Sequence, residues 1–128
     1  MNKFDKKYTL YMESLGSEAN VDRGIYDLYM NLVLDELQIV IKDAVGFKNP
    51  EIEYESNYTL LFWHNENNTS VYILIDEGGT IVINAKSFED DEENLLFEKT
   101  FSFVELGLLH SEEFINAIID AQHITEEK

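Results

Sequence analysis

The sequence predicts an α+β fold: a four-stranded antiparallel meander sheet packed with two N-terminal helices and one C-terminal helix. Three observations carry that expectation. Apolar residues recur at three- and four-residue steps before Pro50, alternate with a period of two between Tyr58 and Phe103, and return to the helical step after Ser111. The connections between the alternating runs are short, which suits hairpins between antiparallel neighbours. At 128 residues, with no repeat or linker, residues 1–128 read as a single domain large enough to bury a core.

The elements follow in order. Phe4, Tyr8, Met12 and Leu15 share one face at helical spacing and Gly16 is a natural stop, so residues 4–15 read as a short amphipathic helix. From Asp22, a candidate N-cap, Ile25, Leu28, Tyr29, Leu32, Leu37, Val40, Ile41 and Ala44 predict a second, longer helix ended by Gly46 and Pro50. Val33, Leu34 and Ile39 widen its apolar stripe, as in a helix covered on more than one side. "YTLLFW" (58–63), "SVYILID" (70–76), "TIVINAK" (80–86) and "LLFEKTFSF" (95–103) are rich in β-branched and aromatic residues and predict four strands. "IEY" (52–54) is a candidate short edge strand outside that count. "EGG" between the second and third runs suits a tight turn, because glycine tolerates positive φ. Ser111 as N-cap, with Glu112 and Glu113 in the first turn, opens the last helix, which carries Phe114, Ile118 and Ala121 in one line. "ITEEK" reads as its frayed tail.

Charge is the unusual quantity. Nine basic residues face 26 acidic ones, a formal net charge of −17. The imbalance is concentrated: residues 49–128 hold eighteen acids and only three lysines, Lys86, Lys99 and Lys128. Such a surface repels phosphate backbones, so direct nucleic-acid binding is not expected, whereas cationic surfaces are attracted and met faster. There is no cysteine, and the N-terminus lacks a continuous apolar stretch of the kind a secretory signal needs. No segment approaches the ~18 apolar residues of a membrane span. The expectation is a cytoplasmic protein without membrane contact.

Glu89, Asp90, Asp91, Glu92 and Glu93 form an unbroken run of carboxylates, which reads as a hydrated loop between strands. Neighbouring carboxylates ~6–7 Å apart repel by about 0.6 kcal/mol in water before salt screening, a cost a solvated loop tolerates. The run lacks the glycine and the alternate-residue ligands of a calcium loop, and the three histidines, His64, His110 and His123, have no ligand spacing. No metal and no cofactor are expected. Glu51, Glu53 and Glu55 repeat at strand alternation, which sets three more carboxylates on one face. Their spacing of about 6–7 Å resembles that of phosphates along a nucleic-acid strand. Tyr54 and Trp63 are candidate apolar anchors for a partner, since buried aromatics supply much of the energy at interfaces. Nucleophile elbows, phosphate-binding glycine loops and zinc-protease motifs are all missing, so an enzyme is not expected.

In size, acidity, lack of cysteine and mixed α/β layout, the chain resembles two groups in overall character, with no shared motif. One is the small bacterial immunity proteins that neutralise nuclease toxins; the other is the phage inhibitors of nucleic-acid-handling machinery, anti-CRISPR and DNA-mimic proteins among them. The resemblance implies a non-enzymatic inhibitor that occupies the cationic surface of a basic partner, a nuclease or another nucleic-acid-binding protein. The candidate contacts are Glu89, Asp90, Asp91, Glu92 and Glu93, then Glu51, Glu53 and Glu55, with Tyr54 or Trp63 as anchor. The alternative is a self-associating structural or regulatory domain, in which the second apolar sheet face forms a homodimer and the charge serves solubility.

Overall fold

A computed structural model of the chain describes residues 23–46, 49–55, 58–76, 79–102 and 106–127. The chain divides into two compact units, Met1–Ile39 and Val40–Lys128, with the boundary inside a long helix. That helix, α1, spans Arg23–Val45. Met30, Val33, Leu34, Leu37, Val40 and Ile41 are buried along it, at the three- and four-residue steps of a helical stripe. Ile39, expected to widen the stripe, is 53% exposed. Gly46 closes the helix with φ +85° and its N–H donates to Lys42 O at 2.9 Å. Only a residue at ease in the left-handed region fits that stop. The expected helix over residues 4–15 lies outside the described residues.

The sheet has five strands, all antiparallel, in the order β1-β2-β3-β4-β5: β1 Glu51–Tyr54, β2 Tyr58–His64, β3 Thr69–Asp76, β4 Thr80–Glu89 and β5 Glu92–Ser102. The four-strand expectation is therefore corrected by one. The short "IEY" segment pairs with β2, Ile52 opposite Leu61, and becomes an edge of the sheet. Of the three expected helices, two lie among the described residues.

Alternation decides the faces. Thr59, Leu61 and Trp63 of β2, Val71, Ile73 and Ile75 of β3, and Ile81, Ile83 and Ala85 of β4 are buried on one face. The second helix, α2 (Glu112–Glu126), packs on that face. Ser111 caps it as expected, its Oγ accepting from Phe114 N at 3.2 Å. Phe114, Ala117, Ile118 and Ala121 are buried, and Phe114 meets Phe101 edge-on at 5.2 Å between ring centroids. A one-turn 3₁₀ segment, Leu106–His110, leads into α2. The helix runs to Glu126, so the "ITEEK" segment is ordered helix for most of its length rather than a frayed tail.

A polar network ties α2 to the turn between β2 and β3. The Trp63 indole N–H donates to Gln122 Oε1 at 2.9 Å, and Gln122 Nε2 donates to Asn65 Oδ1 at 3.1 Å. Asn65 Nδ2 reaches Thr125 Oγ1 at 3.0 Å, and Asn67 Nδ2 reaches Thr125 O at 2.6 Å. Both Trp63 and Gln122 are buried, so each donor here must find its acceptor inside the protein. Gln122→Leu keeps the volume and leaves the indole N–H unpaired. A loss of about 1–3 kcal/mol is expected, read as a lower urea midpoint at unchanged slope.

The opposite sheet face is only partly covered. Tyr58, Leu60, Tyr72, Leu74 and Val82 are each partly exposed on it, while Phe62 is buried and stacks on Tyr72 at 5.8 Å. Lys86 Nζ lies 5.2 Å from the centre of the Tyr72 ring.

Candidate acidic docking hairpin

The carboxylate run is not the loop its composition suggests. β4 continues to Glu89 and β5 begins at Glu92, with Glu89 opposite Glu92 and Phe88 opposite Glu93. Asp90 and Asp91 alone make the turn, with φ of +51° and +64°. Two central residues at positive φ define the tight hairpin turn whose twist matches that of its strands, and aspartate is among the few non-glycine residues that tolerate it. All five carboxylate residues, 89–93, are exposed.

This hairpin is held in place as well as displayed. The Phe88 N–H donates to Asn68 O at 2.9 Å, fastening its base to the turn between β2 and β3. Lys86 Nζ sits 2.7 Å from Glu93 Oε1. Among the described residues this is the ion pair at the hairpin, one cation against five carboxylates. Like charges opposite each other on paired strands are destabilising. At ~5.5–6 Å the Glu89 and Glu92 pair costs about 0.7 kcal/mol in water before screening. The sequence that relieves both strain and repulsion at such a turn is Asn-Gly. Asp90→Asn with Asp91→Gly is therefore expected to raise stability by about 1 kcal/mol, measured as a higher thermal midpoint at low salt.

Other acids join the same end of the sheet. Glu66, on the turn between β2 and β3, is exposed and shares a polar groove with Asn65, Asn67, Gln122 and Glu126. Glu126 was not legible as a candidate, because a charged C-terminal stretch reads as fraying. A second groove of about 430 Å³ runs along the open sheet face beside the hairpin, lined by His64, Asn68, Ser70, Tyr72 and Phe88. His64 Nδ1 and Ser70 Oγ are hydrogen-bonded at 2.5 Å within it. Phe88 is 37% exposed. Tyr72 and Phe88 are thus aromatic surface beside the acids, a feature visible in sequence only once the register is known.

The remaining candidates fall elsewhere. Glu51 and Glu53 are exposed on β1, and Glu55 follows just beyond it. β1 and β5 are opposite edges of the sheet. Glu51 lines up across the strands with Asn84, five residues short of Glu89 and three strands away, a separation of roughly 20 Å. That exceeds a Debye length of about 8 Å at physiological salt. The two acidic groups are therefore electrostatically separate patches. Tyr54 is 63% exposed but stands on the β1 edge. Trp63 is corrected outright as an anchor: it is 4% exposed and its N–H is spent on Gln122, so a partner cannot reach it without opening the core.

Among the described residues no three His, Asp or Glu side chains converge as metal ligands would, and no helix is long and apolar enough to cross a membrane. Comparison of the chain with protein-family models, with curated proteins and with solved structures finds no match in any of the three.

Proposed function

We propose that the chain is a non-enzymatic binding protein whose β4–β5 hairpin docks on the cationic surface of a basic partner, and that the surface it occupies is one that otherwise holds nucleic acid. The observation that carries this reading is the hairpin itself. Five exposed carboxylates stand on and beside a two-residue turn fixed to the sheet, where two aspartates accept positive φ that Asn-Gly would accept with less strain and no charge. A flexible acidic loop would serve solubility equally well, whereas a fixed one loses less entropy on docking. Alternate carboxylates on a strand repeat every ~6–7 Å, close to the phosphate repeat along one nucleic-acid strand, so a site shaped for phosphates meets a similar ladder of charge.

The test is retention of basic proteins from a lysate by the immobilised chain at about 50 mM and about 500 mM salt. Proteins that bind nucleic acid are expected on the column at low salt and absent at high salt. Retention insensitive to salt contradicts the reading. The second reading, a homodimer through the open sheet face, draws on the partly exposed Leu60, Leu74 and Val82. Sedimentation at micromolar concentration separates the two, since a stable dimer insensitive to salt favours self-association.

A further inference from the structure

Successive residues of an antiparallel strand turn their N–H and C=O groups to opposite neighbours. Phe88 gives its N–H to Asn68, on the β3 side. Phe88, Lys86, Asn84 and Val82 therefore bond towards β3, and Ser87, Ala85, Ile83 and Ile81 towards β5. Carried through the register, Asn94, Phe97, Lys99 and Phe101 of β5 turn towards β4. Glu93, Leu95, Glu98, Thr100 and Ser102 turn their backbone groups the other way. β5 is last in the strand order, so no described strand meets those groups. All five of these residues are exposed.

We propose that β5 is a strand-addition edge, and that its occupant is an extended basic segment of the partner. The inference rests on the docking role of the hairpin and states how contact continues from it along the strand. An edge with unpaired donors and acceptors is a template for another strand. Charge selects which one. A second copy would set Glu92, Glu93 and Glu98 of each chain along one seam between two bodies of net charge −17, and like charges opposed across strands repel. A basic segment reverses every one of those terms.

The register makes the occupant specific. The residues with outward backbone share one face of the sheet, so an added strand would place its inward-bonding residues on that face too. Lys86 is opposite Leu95 and Ala85 opposite Phe97, which leaves Leu96 as a bulged extra residue. The bulge shortens the outer edge by one residue. Glu98, Leu95 and Glu93 therefore meet positions x, x+2 and x+4 of the added strand. Cations are wanted at x and x+4, and an apolar residue at x+2, over a leucine that is 56% exposed. Lys86 already shows Glu93 holding an ammonium at 2.7 Å, and a carboxylate accepts several donors.

The experiment titrates the ¹⁵N-labelled full chain with about 1 mM of the N-acetylated peptide Thr-Lys-Thr-Val-Thr-Lys-Thr, whose acetyl carbonyl falls opposite the Thr100 N–H. A second peptide of equal charge is N-methylated at both lysines and the valine, which removes the inward donors. The plain peptide is expected to slow exchange of the Glu93, Leu95, Glu98 and Thr100 amides, and the methylated one to bind about 10-fold more weakly or less. Thr100→Pro removes one outward donor, at an edge position where proline is tolerated, and is expected to weaken the plain peptide at unchanged thermal midpoint. Equal binding of the two peptides, with shifts confined to residues 89–93, overturns strand addition and leaves charge docking standing. Protection of the β5 amides that survives about 500 mM salt undiminished overturns the choice of a basic occupant, and with it the charge reading beneath. Absence of binding by either peptide overturns the edge.

Discussion

Reversing three carboxylates of the hairpin, Glu89→Lys, Asp91→Lys and Glu92→Lys, is expected to weaken capture of a basic partner roughly 100-fold at low salt. Each reversal removes an attraction and adds a repulsion, about 1 kcal/mol together at an exposed site, and 3 kcal/mol corresponds to a little over 100-fold. The matching control, Glu51→Lys, Glu53→Lys and Glu55→Lys, changes net charge by the same amount at the opposite sheet edge. If charge acts only through the whole molecule, the two variants lose affinity alike. If the hairpin is the contact, the control loses no more than about 5-fold, from weaker steering. Rising salt should narrow the gap between the variants, because screening removes what the reversals removed. Equal losses at all salt concentrations would discard the hairpin as the contact. Neither variant touches a buried residue, so thermal midpoints serve as the check on folding.

Phe114→Ala has the largest expected effect on stability, about 3–5 kcal/mol. Phe114 is fully buried and its ring meets Phe101 edge-on, at the place where α2 packs on β5. Truncation loses the transfer energy of the ring and leaves a cavity that neighbouring strands cannot close without moving. Domains of this kind have only about 5–15 kcal/mol in total, so the variant should lose a large share of it. Equilibrium urea unfolding reads the loss directly, and a cost below about 1 kcal/mol would mean that α2 does not seat as described. Partner affinity per folded molecule should change little, because Phe114 lies on the covered face and the hairpin turn is far along β4 and β5. That separation of stability from binding is a second check on the placement of the contact.

Much of the fold was legible because its signals are local. Alternation in "YTLLFW", "SVYILID" and "TIVINAK" gave β2, β3 and β4, and Ser111 with two glutamates behind it gave the start of α2. The hairpin was not legible, because glutamate and aspartate are depleted in strands and a run of five reads as loop. What holds residues 87–94 in register is pairing across the strands and the Phe88–Asn68 hydrogen bond, neither of which has a sequence-local mark. The turn did leave a trace: two aspartates centred between Glu89 and Glu92 are an acceptable pair at positive φ. β1 is only four residues long, below the length at which alternation separates from chance.

The candidate site was legible by charge and illegible by geometry. Composition identified the acids, but the distance between Glu51 and Glu89 depends on strand order, which puts β1 and β5 at opposite edges. Trp63 was misread as an anchor for a related reason. Its parity with Leu61 places it on the covered face, and Gln122, a polar residue four positions after Ile118 in an apolar line, is its buried partner. A polar side chain at core spacing is the sequence trace of such a pairing.

On the function proposed above, the hairpin takes the place of nucleic acid on a basic surface. The most direct measurement adds the chain to a captured partner already holding a fluorescent duplex or single strand, and follows anisotropy as the ratio approaches one to one. Release of the nucleic acid at stoichiometric chain, abolished by the hairpin reversal and retained by the β1 reversal, is the predicted result. A ternary complex, with nucleic acid and chain bound together, would contradict it.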